Sequence, residues 1–256
     1  MAEEIILQTV KLKKTYNFQM PNEFEALHGI DFEVKKGEFI GIMGPSGSGK
    51  STFLNNISTL DRPTGGKVLI NGKDIITMSD GETARFRFQN LGYVFQYFNL
   101  LKTHTIYENI ALPLSLNHVN EKETEQKVNE IAEELGIRSL LDRYPGECSG
   151  GQRQRAAICR ALINHPTILV ADEPTGNLDS INSRQVLKIL RKLNTEHGTT
   201  IIMVSHDPMI VSYTSGFVYL KDGQIESRTE RGKLSQREYY HRILEISSSE
   251  AEDFLE

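Results

Sequence analysis

Cysteine is scarce in this 256-residue chain. Cys148 and Cys159 are its two copies, too few for a disulfide framework, and they read as reduced, small packing side chains of a cytosolic protein. Long apolar runs are missing as well. None approaches the roughly 18 residues of a membrane-crossing helix, so the chain is not expected to span a bilayer by itself. The opening Met1-Ala2-Glu3-Glu4 is acidic and lacks the charged-then-apolar layout of a secretion signal, which points to the cytoplasm. No tract resembles a basic DNA-binding arm, and the net charge of -5 argues against sequence-independent binding of nucleic acid. The rest is ordinary for a globular protein. Charged residues make up 25% and hydrophobic ones 38%, enough to bury a core in one large domain or two small ones.

Three glycines share one short stretch with a lysine and a serine. Gly44-Pro45-Ser46-Gly47-Ser48-Gly49-Lys50-Ser51, followed by Thr52, fits the phosphate-binding pattern G-x-x-x-x-G-K-[ST] without a mismatch. Phe39 to Met43 before it reads as a short buried strand, and Ser51 through Leu60 as the start of a helix. The glycines let the backbone curl and turn successive N–H groups inward, and the positive end of the helix dipole points into the same space. Lys50 is placed to reach terminal phosphates, and the Ser51 hydroxyl to ligate Mg²⁺.

Before that loop, Ile5 to Leu12, Phe24 to Leu27 and Gly29 to Val34 read as short strands of an antiparallel layer, with Tyr16 in a turn where its ring can stack on a flat partner. After it, Lys67 to Ile70 is a strand closed by the hairpin signal Asn71-Gly72. Met78 through Phe88 reads as a short helix. Leu91 to Phe95 is a buried strand with Gln96 at its C-terminal end. From Tyr107 to Leu141 the period is helical, with Val128, Ile131 and Leu135 on one stripe, and about 97–160 reads as a helical insert in an α/β core.

Cys148-Ser149-Gly150-Gly151-Gln152 opens a further helix, a second anion-binding N-terminus, which hints at a nucleotide shared between two molecules. Thr167 to Ala171 is an apolar strand ending in Asp172-Glu173. Adjacent carboxylates there are costly unless they face a cation or water: Asp172 suits Mg²⁺, and Glu173 suits taking a proton from water. Gly176-Asn177-Leu178-Asp179 makes a turn before an amphipathic helix from Ser183 to Leu193. Thr199 to Val204 is another buried strand, ending at Ser205-His206-Asp207, where His206 can contact phosphate or orient water. Phe217 to Leu220 and Gln224-Ile225 form a last hairpin. Gly232 to Glu256 is charged and weakly amphipathic, with Tyr239, Tyr240, Ile243 and Leu244 at helical spacing and mobile final residues.

These motifs occur once each and in one order, and over roughly residues 5–230 the chain resembles the nucleotide-binding subunit of an ABC transporter. The resemblance implies a RecA-like P-loop NTPase core with an antiparallel β subdomain and an inserted α-helical subdomain. It places the nucleotide-binding domain at 1–232, with 233–256 as a C-terminal extension. Tyr16 is similar to the adenine-stacking aromatic, and Gly44 to Thr52 to the Walker A loop. Gln96 resembles the Q-loop glutamine, which in the family touches Mg²⁺ and the attacking water. Ser149, Gly150, Gly151 and Gln152 match the family signature, with Cys148 where leucine is usual. Asp172 and Glu173 correspond to Walker B and the catalytic glutamate, Asp179 to the D-loop, and His206 to the switch histidine.

The resemblance further implies two copies meeting head to tail around two ATP, Mg²⁺ as cofactor, and a separate integral membrane permease that holds the chain at the cytoplasmic face. The permease contact is expected near Gln96 and Tyr97 to Leu101. Phe98-Asn99-Leu100-Leu101, Tyr144-Pro145 and Ala171 to Asp179 are similar to the lipoprotein-release and macrolide-export group. Asn109 to Ser115 and the tail near Tyr239-Tyr240 look most like the bacitracin and lantibiotic resistance ATPases. A division-type ATPase that signals through a membrane protein to cell-wall enzymes shares nearly every motif, and only the partner separates the two.

Overall fold

A computed structural model describes residues 4–253. The mobility expected of the last residues concerns 254–256, which lie outside the described residues, as do Met1, Ala2 and Glu3. The chain begins with two long antiparallel strands, β1 (Ile5–Tyr16) and β2 (Phe24–Lys35). Two short strands were expected where β2 runs unbroken. Gly29, at φ +89°, is skipped in the register between Leu12↔Ile30 and Lys13↔His28, so a glycine bulge bends the strand without ending it. Tyr16 is the last residue of β1 rather than part of a turn. With β4 (Gly65–Ile70) and β5 (Lys73–Asp74), these strands form a four-stranded sheet in the order β2-β1-β4-β5.

The second sheet has six strands. β3 (Phe39–Met43), β6 (Leu91–Val94), β7 (Ile168–Asp172), β8 (Thr200–Val204) and β9 (Gly216–Lys221) are parallel, and β10 (Gln224–Glu230) closes the edge antiparallel, in the order β10-β9-β3-β8-β7-β6. β3 and β8 are buried at every residue, which is why they read as unbroken apolar runs. Because β3, β6, β7 and β8 run the same way, the residues that follow them emerge on one edge of the sheet.

Helix α1 (Lys50–Ile57) leaves the phosphate loop and stops three residues before the expected Leu60. Thr59 there is left-handed (φ +63°), and Arg87 of α2 (Asp80–Asn90) holds it by donating to its hydroxyl and carbonyl. The helical run expected from Tyr107 to Leu141 is two capped helices, α3 (Ile106–Leu116) and α4 (Glu121–Glu134), packed on α5 (Gly150–Leu162). Thr105 and Asn120 cap their N-termini and His118 (φ +57°) turns the chain between them. α6 (Ser180–His197) follows β7, the four-residue α7 (Pro208–Val211) follows β8, and α8 (Gln236–Asp253) ends the described chain.

The core has three parts. Ile40, Ile42, Phe53 and Leu54 pack with Leu7, Phe32 and Val68 between the two sheets and α1. Leu169, Ala171 and Met203 pack on the other face against α3 to α6. Tyr239 and Ile243 of α8 pack on Val211, Phe217 and Tyr219.

Candidate active site

The phosphate loop needs glycine at two points. A Cβ on Gly44 (φ +147°) would lie 1.9 Å from the Leu220 carbonyl oxygen, and one on Gly49 (φ +98°) 2.8 Å from that of Ala26. Backbone from β9 and β2 therefore presses the loop from behind. Ser48 Oγ is buried without a hydrogen-bond partner and lies 2.9 Å from where a Gly44 side chain would begin, so a polar atom waits inside the cradle. Gly47 (φ +85°) faces open space at the mouth. Lys50 folds across the loop and donates to the carbonyls of Gly44 (2.9 Å) and Pro45 (2.6 Å). Burial pulls its ammonium below the usual range, and the charges of Glu173 and Asp172 oppose that shift. Ser51 and Thr52 begin α1 beside it, with Ser46 on the exposed side.

Asp172 closes β7, and Glu173 takes a left-handed backbone (φ +43°) that an ordinary side chain adopts only under restraint. The restraint is visible. Glu173 N donates to Val204 O (3.1 Å), and its carbonyl accepts from Gly176 N (3.0 Å). Its carboxylate is gripped from both sides: Gln96 Nε2 donates to Oε2 at 3.1 Å, and His206 Nδ1 lies 2.9 Å from Oε1. Burial, then Glu173, pushes the Asp172 carboxyl above its usual range, with Lys50 acting the other way. Gln96 comes from the end of β6 and His206 from the end of β8, so three strand ends converge on one carboxylate.

Ser149 to Gln152 and Asp179 form a second cluster. Ser149 caps α5 reciprocally with Gln152, which leaves other amides of that first turn without intrahelical partners. Asp179 caps α6 through Asn182 N (2.8 Å). The two helix starts touch: a Cβ on Gly151 would lie 2.1 Å from Asn182 Oδ1, and one on Gly150 3.1 Å from Leu178. No hydrogen bond among the described residues links this cluster to the phosphate loop. Tyr16 stands at the loop's rim, its hydroxyl 3.4 Å from Thr52 Oγ1 and 3.2 Å from Asp61, with Lys14 Nζ 4.9 Å from its ring centre. Cys148 is buried among the helices, and burial pushes its thiol up, so it packs as leucine would.

Three supporting residues escape a motif reading. Gln154, fully buried, donates to Pro174 O (2.6 Å) and ties α5 to the turn after Glu173. Asn177 donates to Gln96 O (2.9 Å). Arg160 donates to the carbonyls of Phe98 (2.9 Å) and Asn99 (2.6 Å), both left-handed, and fixes the chain that follows Gln96. The one signal for Gln154 is a polar residue on the buried stripe of α5 beside Ala157, Ile158 and Ala161.

Known proteins resemble this chain in sequence and in fold. The sequence profile described as ABC transporter matches residues 27–176. An uncharacterized ABC transporter ATP-binding protein of Bacillus subtilis, YvcR, is 47% identical over 98% of this chain and 97% of its own length. The bacitracin export ATP-binding protein BceA of Halalkalibacterium halodurans is 44% identical over 93% of this chain and 94% of its own. The ATP-binding cassette MJ0796, solved as a dimer in a post-hydrolysis state bound to ADP and Pi, superposes with a TM-score of 0.81 at 38% identity, over 88% of this chain and 98% of that one. With more than half its length matched by the family and near-full-length relatives at this identity, the chain belongs to the ABC transporter family, as an ATP-binding subunit that hydrolyses ATP.

Proposed function

We propose that two copies of this chain close head to tail around two ATP and drive a separate membrane permease in resistance to antimicrobial peptides. The observation that carries the head-to-tail reading is the separation of the two clusters. One copy offers a phosphate cradle with its carboxylates, and the other offers the N-terminus of α5, whose first-turn amides and helix dipole suit a terminal phosphate. The dimeric form of MJ0796 supports it.

Within each site Glu173 takes a proton from the attacking water, held in aim by Gln96 and His206. Lys50 moves from the loop carbonyls to the outer phosphates and offsets charge on the transferring phosphoryl. Tyr16 stacks on the base, Asp179 orders the subunit contact, and His206 positions the phosphate. The residues present fit Mg²⁺: a divalent cation beside Asp172 offsets the burial and the Glu173 charge that now disfavour its ionised form. Ser51, Asp172 and Gln96 are the side chains that would hold it, and it would supply positive charge to offset that of the nucleotide's phosphates.

The permease meets the chain in a groove of about 700 Å³ between α2, β6 and the helices α3 and α5, floored by Phe88, Leu91, Phe95 and Leu116. Arg85, Arg87 and Arg160 line it and no carboxylate does, so an apolar helix carrying acidic residues suits it. Tyr97, 71% exposed, and the exposed Leu101 lie within two residues in sequence of the lining residues Phe95 and Asn99. The name of BceA supports a peptide cargo.

The test is to pull the tagged chain from detergent-solubilised membranes of its host and assay the complex. A large permease with an extracellular domain that stimulates ATP hydrolysis is the expected result. A small four-span partner with wall hydrolases would replace transport by signalling, and the absence of any membrane partner would overturn the reading.

A further inference from the structure

The ring of His206 has little around it. Its side chain is 70% exposed, and Glu173 is its hydrogen-bonding neighbour. Its placement therefore depends on the backbone that carries it, and the next element, α7, has four residues, too short to hold a helix alone. α7 packs through Val211 on Gly41 of β3, and two polar devices add to that hold. Asp207 caps it from the front, accepting from Met209 N at 2.8 Å. Behind it stands α8. Gln236 Nε2 donates to Ser212 Oγ (3.0 Å), and that hydroxyl donates to Met209 O (2.6 Å), so one relay ties the start of α8 to the body of α7. Ser212 is fully buried, as are Val211, Phe217, Tyr239 and Ile243 around it. Tyr239 meets Phe217 edge-on with ring centres 6.1 Å apart.

We infer that the C-terminal helix α8 is a positioning element for hydrolysis, in which Gln236, through Ser212 and α7, fixes His206 against Glu173. The inference rests on the reading of Glu173 and His206 as partners in hydrolysis. It gives Gln236, Tyr239 and Ile243 a task in the chemistry from the far side of α7. A buried hydroxyl that both accepts and donates is a demanding joint: alanine at either Gln236 or Ser212 breaks the same relay.

The experiment measures steady-state ATP hydrolysis, ATP affinity by calorimetry and thermal melting for Gln236→Ala and Ser212→Ala, each alone and combined, and for Gln236→Ala in a His206→Ala background. The expected result is a fall in kcat on the order of tenfold in either single variant, as a small misplacement of a reacting group produces. ATP affinity should stay within about twofold, since uniform binding is untouched. The double variant should be no slower than the singles, and Gln236→Ala should add nothing once His206 is gone. Wild-type kcat in both single variants overturns the inference. So does a loss of kcat that follows lost ATP affinity and a collapsed melting transition, which marks a purely structural helix. An equal further fall in the His206→Ala background also overturns it, because the helix would then act elsewhere. Wild-type hydrolysis by His206→Ala alone would instead defeat the role of His206.

Discussion

Lys50 and Asp172 meet partial burial in opposite ways. Lys50 satisfies its ammonium on two loop carbonyls, and in the proposed site it exchanges them for phosphate. Lys50→Ala removes charge-assisted bonds worth about 2 to 3 kcal/mol, so ATP affinity should fall roughly 30- to 150-fold by calorimetry. Unchanged affinity would remove Lys50 from the phosphate site. Asp172 is the opposite case. Burial and Glu173 together outweigh Lys50 and disfavour its charge. Asp172→Asn should therefore raise the melting temperature of the nucleotide-free protein by a few degrees while hydrolysis is lost. A lower melting temperature would mean that the Lys50 attraction dominates. The residues of the phosphate loop were legible in the sequence because covalent neighbours make the cradle. Gln154, Asn177 and Arg160 were not, because their partners lie 20, 81 and 62 positions away and only the folded chain brings them together.

Among the elements, α5 does two jobs that its sequence only half displays. Its N-terminus reads plainly as an anion site, whereas its C-terminal half braces the segment after Gln96 through Arg160. Phe98 (φ +62°) and Asn99 (φ +49°) sit in a backbone region that side chains avoid, and the guanidinium holds both carbonyls there. Arg160→Ala should cost about 2 to 3 kcal/mol and lower the melting temperature by roughly 5 to 10 °C. In the permease complex the variant should lose stimulated hydrolysis more than basal hydrolysis. Equal loss of both would place Arg160 in general stability rather than in the groove. The strands were mostly legible from apolar runs. The apolar pattern of β2 breaks at His28-Gly29 and suggests two strands, and only the partner strand β1 reveals that the break is a bulge. The division of Tyr107 to Leu141 into α3 and α4 was hidden for a related reason: helical periodicity continues across a short capped turn.

In the molecule as a whole, one sheet edge collects the phosphate loop, Gln96, Glu173 and His206, and the starts of α5 and α6 form a separate cluster. Strand order β9-β3-β8-β7-β6 does the collecting, because the phosphate loop, His206, Glu173 and Gln96 all follow parallel neighbours. That order was not legible in the chain: β3 and β8 are hydrogen-bonded neighbours although more than half the sequence separates them. The motif order showed which residues to gather, and the sheet shows how. In the proposed head-to-tail dimer each copy supplies half of each nucleotide site, the loop from one and Ser149 to Gln152 from the other. The most direct measurement is light scattering of purified Glu173→Gln with and without ATP. This variant keeps its nucleotide because proton abstraction is blocked, so it should form a stable dimer with ATP and remain a monomer without it. A monomer in both conditions, with ATP demonstrably bound, would contradict the shared site.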